Sequence, residues 1–159
     1  MNRWLTIALD GPAAAGKGTL ARRLAAHFNL ARLDTGRLYR AAAVRTIALG
    51  IDIDTADAAR LGRIAGGDEV LALAHDGDLA GEDIAAAASK ISAIAEVRAA
   101  LLDTQRRFAR QGNGRRGDAN GAVLDGRDIA TDVLPEADVK IWLDASPRAR
   151  AVRRAGERG

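Results

Sequence analysis

The stretch "LTIALDGPAAAGKGTLARRL", residues 5 to 24, decides the fold. Leu5 to Leu9 form a short, nearly uninterrupted apolar run closed by Asp10-Gly11-Pro12, which predicts a strand buried on both faces. From Gly18 the apolar spacing turns helical, with Leu20, Leu24 and Phe28 on one face and Arg22, Arg23 and His27 off it. Between strand and helix lie Gly11, Pro12, Ala13, Ala14, Ala15, Gly16, Lys17, Gly18 and Thr19, a GxxxxGK pattern followed by Gly-Thr. Lys17 is one of only three lysines, and its two glycine neighbours give it no packing partner. In a strand-loop-helix of this kind, backbone amides point into a concavity at a helix N-terminus, where partial positive charge favours phosphate. Lys17 is then expected to reach the β- and γ-phosphates as a point charge, with the Thr19 hydroxyl offered to magnesium.

Working outward, "LARLD" (30 to 34), "GAVLDG" (121 to 126) and "VKIWLDAS" (139 to 146) are three further strand candidates. All four strands end in Leu-Asp followed by a small residue, and the first two are separated by one helix length. That rhythm predicts an α/β fold with a mostly parallel sheet between helical layers. From Gly36 to Arg110 strand signals are weak and alanine is abundant, so residues 36–110 are expected to form a helical insertion in a core made of 1–35 and 111–159. The one hairpin candidate in the insertion is weak, around Asp76-Gly77. The polar stretch Gln111 to Asn120 reads as a surface loop.

Composition narrows the ligand class. The chain has 159 residues, 48% hydrophobic and 28% charged, as in a folded single domain. Aromatics make up 3%, too few for a stacking platform, so nucleic acid is not an expected partner. Of 24 basic residues 21 are arginine, whose planar fork suits phosphate, while the net charge is only +3. No cysteine is present, which fits a reducing cytosol, and the apolar run before Asp10 is too short for a signal peptide or membrane span. A cytoplasmic protein without membrane contact is expected. No NKxD sequence occurs, which argues against a GTPase.

Two more segments follow strand ends. "LDTGRLYRAA" (33 to 42) places Arg40 six residues after Asp34, and "LDGRDIAT" (124 to 131) places Arg127 and Asp128 just after the third strand. Ligands of parallel sheets gather beyond the carboxyl ends of the strands, so both arginines are expected near the phosphate loop, holding a second, acceptor phosphate. Surface ion pairs with Asp34, Asp125 or Asp128 are the bland alternative for these arginines.

"DGPAAAGKGT", "LDTGRLYRAA", "AAAASKISAIAEVRAALL", "LDGRDIAT" and "VKIWLDASPRARAVRR", in that order, resemble bacterial cytidylate kinases over nearly the whole chain. Gly18 between Lys17 and Thr19 is also the arrangement of nucleoside monophosphate kinases. The resemblance implies a P-loop nucleoside monophosphate kinase-like three-layer sandwich that transfers a phosphoryl group from ATP, with magnesium, to CMP or dCMP. It implies a monomer, Lys17, Arg40 and Arg127 as catalytic residues, and residues 36–110 as the monophosphate-binding region. By position, Ser89, Arg98 and Asp128 would face the cytosine, Arg40 and Arg127 would hold the acceptor phosphate, and Thr35 would join the CMP site. The base assignment has its own chemistry, since the cytosine amine wants a carboxylate such as Asp128 and its ring acceptors want a guanidinium such as Arg98. Another small P-loop kinase, acting on AMP, UMP or a small alcohol, and a nucleotide-binding module without turnover remain the alternatives.

The sequence departs from the family pattern in three places, one of them an insertion that looks short between Ile53 and Ser89 and so resembles a compact version of the family's lobe. After the DGRD segment the family continues Gly-Thr, whereas this chain has Ala130-Thr131-Asp132; if that glycine supplies a special backbone angle, Ala130 is costly there. The resemblance also breaks off at "RARAVRRAGERG", ahead of the family's lid, further helix and last strand. Arg153 and Arg154 are candidates for the start of a lid, against the plainer reading of a solvated basic helix face. With these 159 residues alone, nucleotide binding without efficient transfer is expected.

Overall fold

The computed structural model describes residues 4–112 and 119–156, without the side chain of Arg154. In chain order the elements are β1 (Leu5–Asp10), α1 (Lys17–Phe28), β2 (Ala31–Asp34), α2 (Thr35–Ala48), α3 (Ala58–Ala65), α4 (Asp68–Asp76), α5 (Glu82–Ser92), α6 (Ala95–Gln111), β3 (Gly121–Gly126), a π-helical turn (Ile129–Val133), β4 (Val139–Trp142) and α7 (Pro147–Gly156). They gather into two compact units, one running up to Leu33 and again from Arg106, the other spanning Asp34–Gln105.

The first unit holds a four-stranded sheet of order β2-β3-β1-β4. β1 pairs in parallel with β3, Leu5 opposite Gly121 through Asp10 opposite Gly126, and with β4, Ile7 opposite Val139 through Asp10 opposite Trp142. Flanked on both sides, β1 is buried from Ile7 to Asp10, as its unbroken apolar run requires. α1 covers one face, where Ile7, Leu9, Ala21, Leu30 and Val123 form a cluster edged by Leu20, Leu24 and Ala25. Each large aliphatic side chain buried there contributes about 1.5–3 kcal/mol. Phe28, expected on this buried face, is instead 44% exposed. It ends the helix, Asn29 reverses the chain at φ 51°, and Leu30 fills the core in its place. β4 is an edge strand, and Trp142 on it is 71% exposed.

The second unit is helical. Leu38, Ala41 and Ala42 give α2 a fully buried face of mostly small residues, against which α3, α4 and α5 pack. Asp34 caps α2 by accepting from the Arg37 amide at 3.3 Å. No hairpin forms at Asp76-Gly77. Asp76 is the last residue of α4, Gly77 donates to the Leu73 carbonyl at 2.8 Å as its C-cap, and Val70 and Ala74 are buried one turn apart, a helical spacing. Of the expected loop at 111–120, residues 113–118 lie outside the described residues.

Candidate phosphate loop and acceptor residues

The loop between β1 and α1 begins where β1 leaves the sheet. A Cβ on Gly11 would collide with the backbone carbonyl of Leu143, and its φ of 145° is open only to glycine, so this position admits no side chain. Two further residues bend the loop with positive φ, Ala14 at 60° and Gly16 at 101°. Gly16 is the N-cap of α1 and provides no side-chain cap, and the first turn carries no acidic residue. The helix therefore presents amide donors and the positive end of its dipole towards the loop.

Lys17 does have partners, contrary to expectation from its glycine neighbours. Its Nζ donates to the carbonyls of Gly11 at 2.7 Å and Pro12 at 2.9 Å, folding the cation back over the loop. Thr19 is exposed on the first turn of α1, and its Oγ1 accepts from Arg22 at 3.2 Å. Arg153 of α7 donates through one guanidinium nitrogen to the carbonyls of Ala15 at 2.8 Å and Ala14 at 3.3 Å. The side chain of Arg154, its companion as a lid candidate, lies outside the described residues.

The β3 end of the same unit carries Arg127 and Asp128, both exposed. Asp128 adopts φ 58°, ψ 25° at the N-cap of the π-helical turn, a left-handed conformation that aspartate tolerates. The special backbone angle thus falls on Asp128 and not on Ala130, which sits inside the turn without positive φ, so alanine is not costly there. Two residues missed at the sequence level hold this turn. The buried Asp10 carboxylate accepts from the amides of Ile129 and Ala130, each at 2.8 Å. At the other end Arg106 donates to the carbonyls of Asp132 at 2.8 Å and Val133 at 3.2 Å. Opposite charges thus close the two ends, where amides and carbonyls lack partners within the turn. Asp125 pairs with Arg32 at 3.3 Å.

The second unit holds the remaining candidates. Thr35, the first residue of α2, is buried. Arg40, half-buried on α2, donates to the Leu79 carbonyl at 3.0 Å, while Arg37 one turn earlier holds the carbonyls of Ala74 at 2.7 Å and Gly77 at 2.8 Å. The α4–α5 connection is thereby tied to α2. Arg98 on α6 is exposed and lies close enough to Tyr39 for its charge to act on the phenol. Burial raises the pKa of Tyr39 above 10.0, and the Arg98 guanidinium partly opposes that rise. Ser89 is exposed on α5, and its carbonyl accepts from the Ser92 hydroxyl at 2.8 Å. The structure thus brings Arg40, Thr35 and Tyr39 together on α2, and Lys17, Thr19 and Arg153 around one loop.

A family model described as cytidylate kinase matches residues 7–159. The chain is 55% identical over 158 residues to a cytidylate kinase of Acidiphilium cryptum, covering 99% of this chain and 69% of that protein. It is 55% identical over 155 residues to a cytidylate kinase of Methylocella silvestris, 96% and 66% of the two chains. It is also 52% identical over 152 residues to one of Paramagnetospirillum magneticum, 95% and 68%. The chain therefore spans about two thirds of the length of these relatives. Among the described residues no helix is long and apolar enough to cross a membrane.

Proposed function

The chain belongs to the cytidylate kinase family, and from that premise we propose that it transfers the γ-phosphoryl group of ATP to CMP or dCMP, giving ADP and the pyrimidine nucleoside diphosphate. The observation that carries this reading is the phosphate loop, with Gly11 pressed against Leu143 and Lys17 folded over an uncapped helix N-terminus. Residues 11 to 19 hold the ATP phosphates in this account. Lys17 leaves the Gly11 and Pro12 carbonyls for the β- and γ-phosphates, where a fixed ammonium stabilises the charge of the transferring group.

Residues 1–35 and 111–159 are assigned to the kinase core and 36–110 to the acceptor-binding insertion. Arg127 in the core and Arg40 in the insertion each serve as a cation for the acceptor phosphate, an arrangement that suits the bidentate fork of arginine. Asp128 accepts from the cytosine amine, Arg98 donates to the ring acceptors, and Ser89 and Thr35 contribute hydroxyls to the same nucleotide. Arg153 contributes to the start of a lid, with Arg154 beside it in sequence.

The donor set fits magnesium brought by the nucleotide. Thr19 offers an exposed hydroxyl, and among the described residues no group of three or more His, Cys, Asp or Glu forms a protein cage. Magnesium commonly keeps several waters and binds through phosphates with one or two protein ligands. When bound, the ion neutralises phosphate charge during transfer. Nucleotides are the partners in this account, and the protein acts as a cytoplasmic monomer apart from nucleic acid and membrane. Equilibrium titration with ATP–magnesium and, separately, with CMP tests the reading. Binding of both is expected, and failure of the folded chain to bind CMP contradicts it.

A further inference from the structure

The π-helical turn after β3 is capped by the wrong aspartate. An aspartate at an N-cap ordinarily accepts, with its own carboxylate, an amide of the first helical turn. Asp128 occupies the N-cap with a left-handed backbone, φ 58° and ψ 25°, rather than the extended one from which a capping side chain reaches back, and makes no such bond. The amides of Ile129 and Ala130 are taken instead by the two carboxylate oxygens of Asp10, one each at 2.8 Å, from the end of β1. Asp10 is buried, and β1 is hydrogen-bonded on both sides, so this acceptor has little freedom to move. Arg106 fixes the carbonyls of Asp132 and Val133 at the far end. The carboxylate of Asp128 is left exposed, with no hydrogen bond among the described residues.

We propose that Asp10 is a positioning residue for base discrimination. By capping the turn in place of Asp128, it keeps the Asp128 carboxylate available to accept from the exocyclic amine of the acceptor base. The inference rests on the reading of Asp128 given above. Without the Asp10 acceptors the turn amides are left unpaired. Asp128, which directly precedes them in the chain, then moves to an extended backbone and caps them with its own carboxylate, so the base loses its acceptor.

Four forms test this by equilibrium titration with CMP and UMP: wild type, Asp10→Asn, Asp128→Asn and the double variant. Asparagine at position 10 keeps the shape but sets an amine against one turn amide. The CMP-over-UMP affinity ratio is expected to fall on the order of tenfold in Asp10→Asn, the scale of one displaced hydrogen bond. Binding of ATP–magnesium should stay within about twofold, because the phosphate contacts remain. In the Asp128→Asn background, Asp10→Asn should change the ratio no further, since both act through one group. An Asp10→Asn ratio equal to wild type, or effects that add in the double variant, overturns the inference while leaving Asp128 as the base reader. An unchanged ratio in Asp128→Asn removes the base-reading role itself, and the inference falls with it. If Asp10→Asn does not fold, Asp10→Ser, which retains one acceptor, is titrated in its place. Failure of both to fold means that Asp10 serves the whole fold rather than the turn, and likewise overturns the proposal.

Discussion

The ammonium of Lys17 donates to the carbonyl of Gly11 at 2.7 Å, across the full span of the phosphate loop. Together with the bond to Pro12 at 2.9 Å, this contact stores the cation on the loop it is expected to leave when phosphate arrives. The lysine therefore has a structural role as well as a chemical one.

Lys17→Met should lower phosphoryl transfer at least about a hundredfold, the scale for losing one preorganised electrostatic group. Loss of two carbonyl partners should also cost about 1 kcal/mol of stability, because the lysine is only half-buried. Transfer rates and thermal melts measure the two effects separately. Near wild-type transfer by a folded variant removes Lys17 from the mechanism.

Ala14 offers a second measurement on the loop. At φ 60° a Cβ is unfavourable, and glycine relieves it at some cost in unfolded-state entropy. Ala14→Gly should raise stability by at most about 1 kcal/mol, seen as a higher melting temperature. A clear fall would show that the alanine methyl makes contacts outweighing its backbone strain.

Asp128→Asn should relax the preference for CMP over UMP, because an amide can donate to uracil where a carboxylate cannot. CMP should lose more than UMP, and the full discrimination is worth at most roughly a few kcal/mol. Relative catalytic efficiencies for the two acceptors give the readout, with an unchanged ratio as the contrary result.

Tyr39 is the only tyrosine, so its ionisation can be followed by phenolate absorbance without interference from a second one. Burial raises its pKa above 10.0 and Arg98 pulls it down, so Arg98→Ala should raise it further. The folded state then holds the phenolic proton more tightly than the unfolded chain. Stability from this group is present below pH 10 and declines as pH rises through the folded pKa. An unmoved titration in Arg98→Ala would mean that the guanidinium does not act on the phenol.

The strand, glycine loop and helix were legible because each is a local pattern: an apolar run, a turn, then helical spacing. The four Leu-Asp strand ends show where local reading stops. They look alike in sequence, yet Asp34 caps α2, Asp125 pairs with Arg32, Asp144 accepts from the amide of its neighbour Ala145, and Asp10 caps a turn 119 residues away. An acid after a strand signals a turn, but its partner is chosen by which strand lies beside it. The order β2-β3-β1-β4, which sets β1 next to β3, puts Asp10 within reach of Ile129. Phe28 and the Asp76-Gly77 hairpin failed for a related reason, because periodicity gives a face or a turn residue without saying where a helix ends.

The most direct test of the account is single-turnover transfer of labelled phosphate from ATP–magnesium to CMP, dCMP, UMP and AMP by this chain. CMP and dCMP should be phosphorylated in preference to UMP and AMP, whatever the absolute rate. Transfer to UMP or AMP that equals or exceeds transfer to CMP would contradict the account.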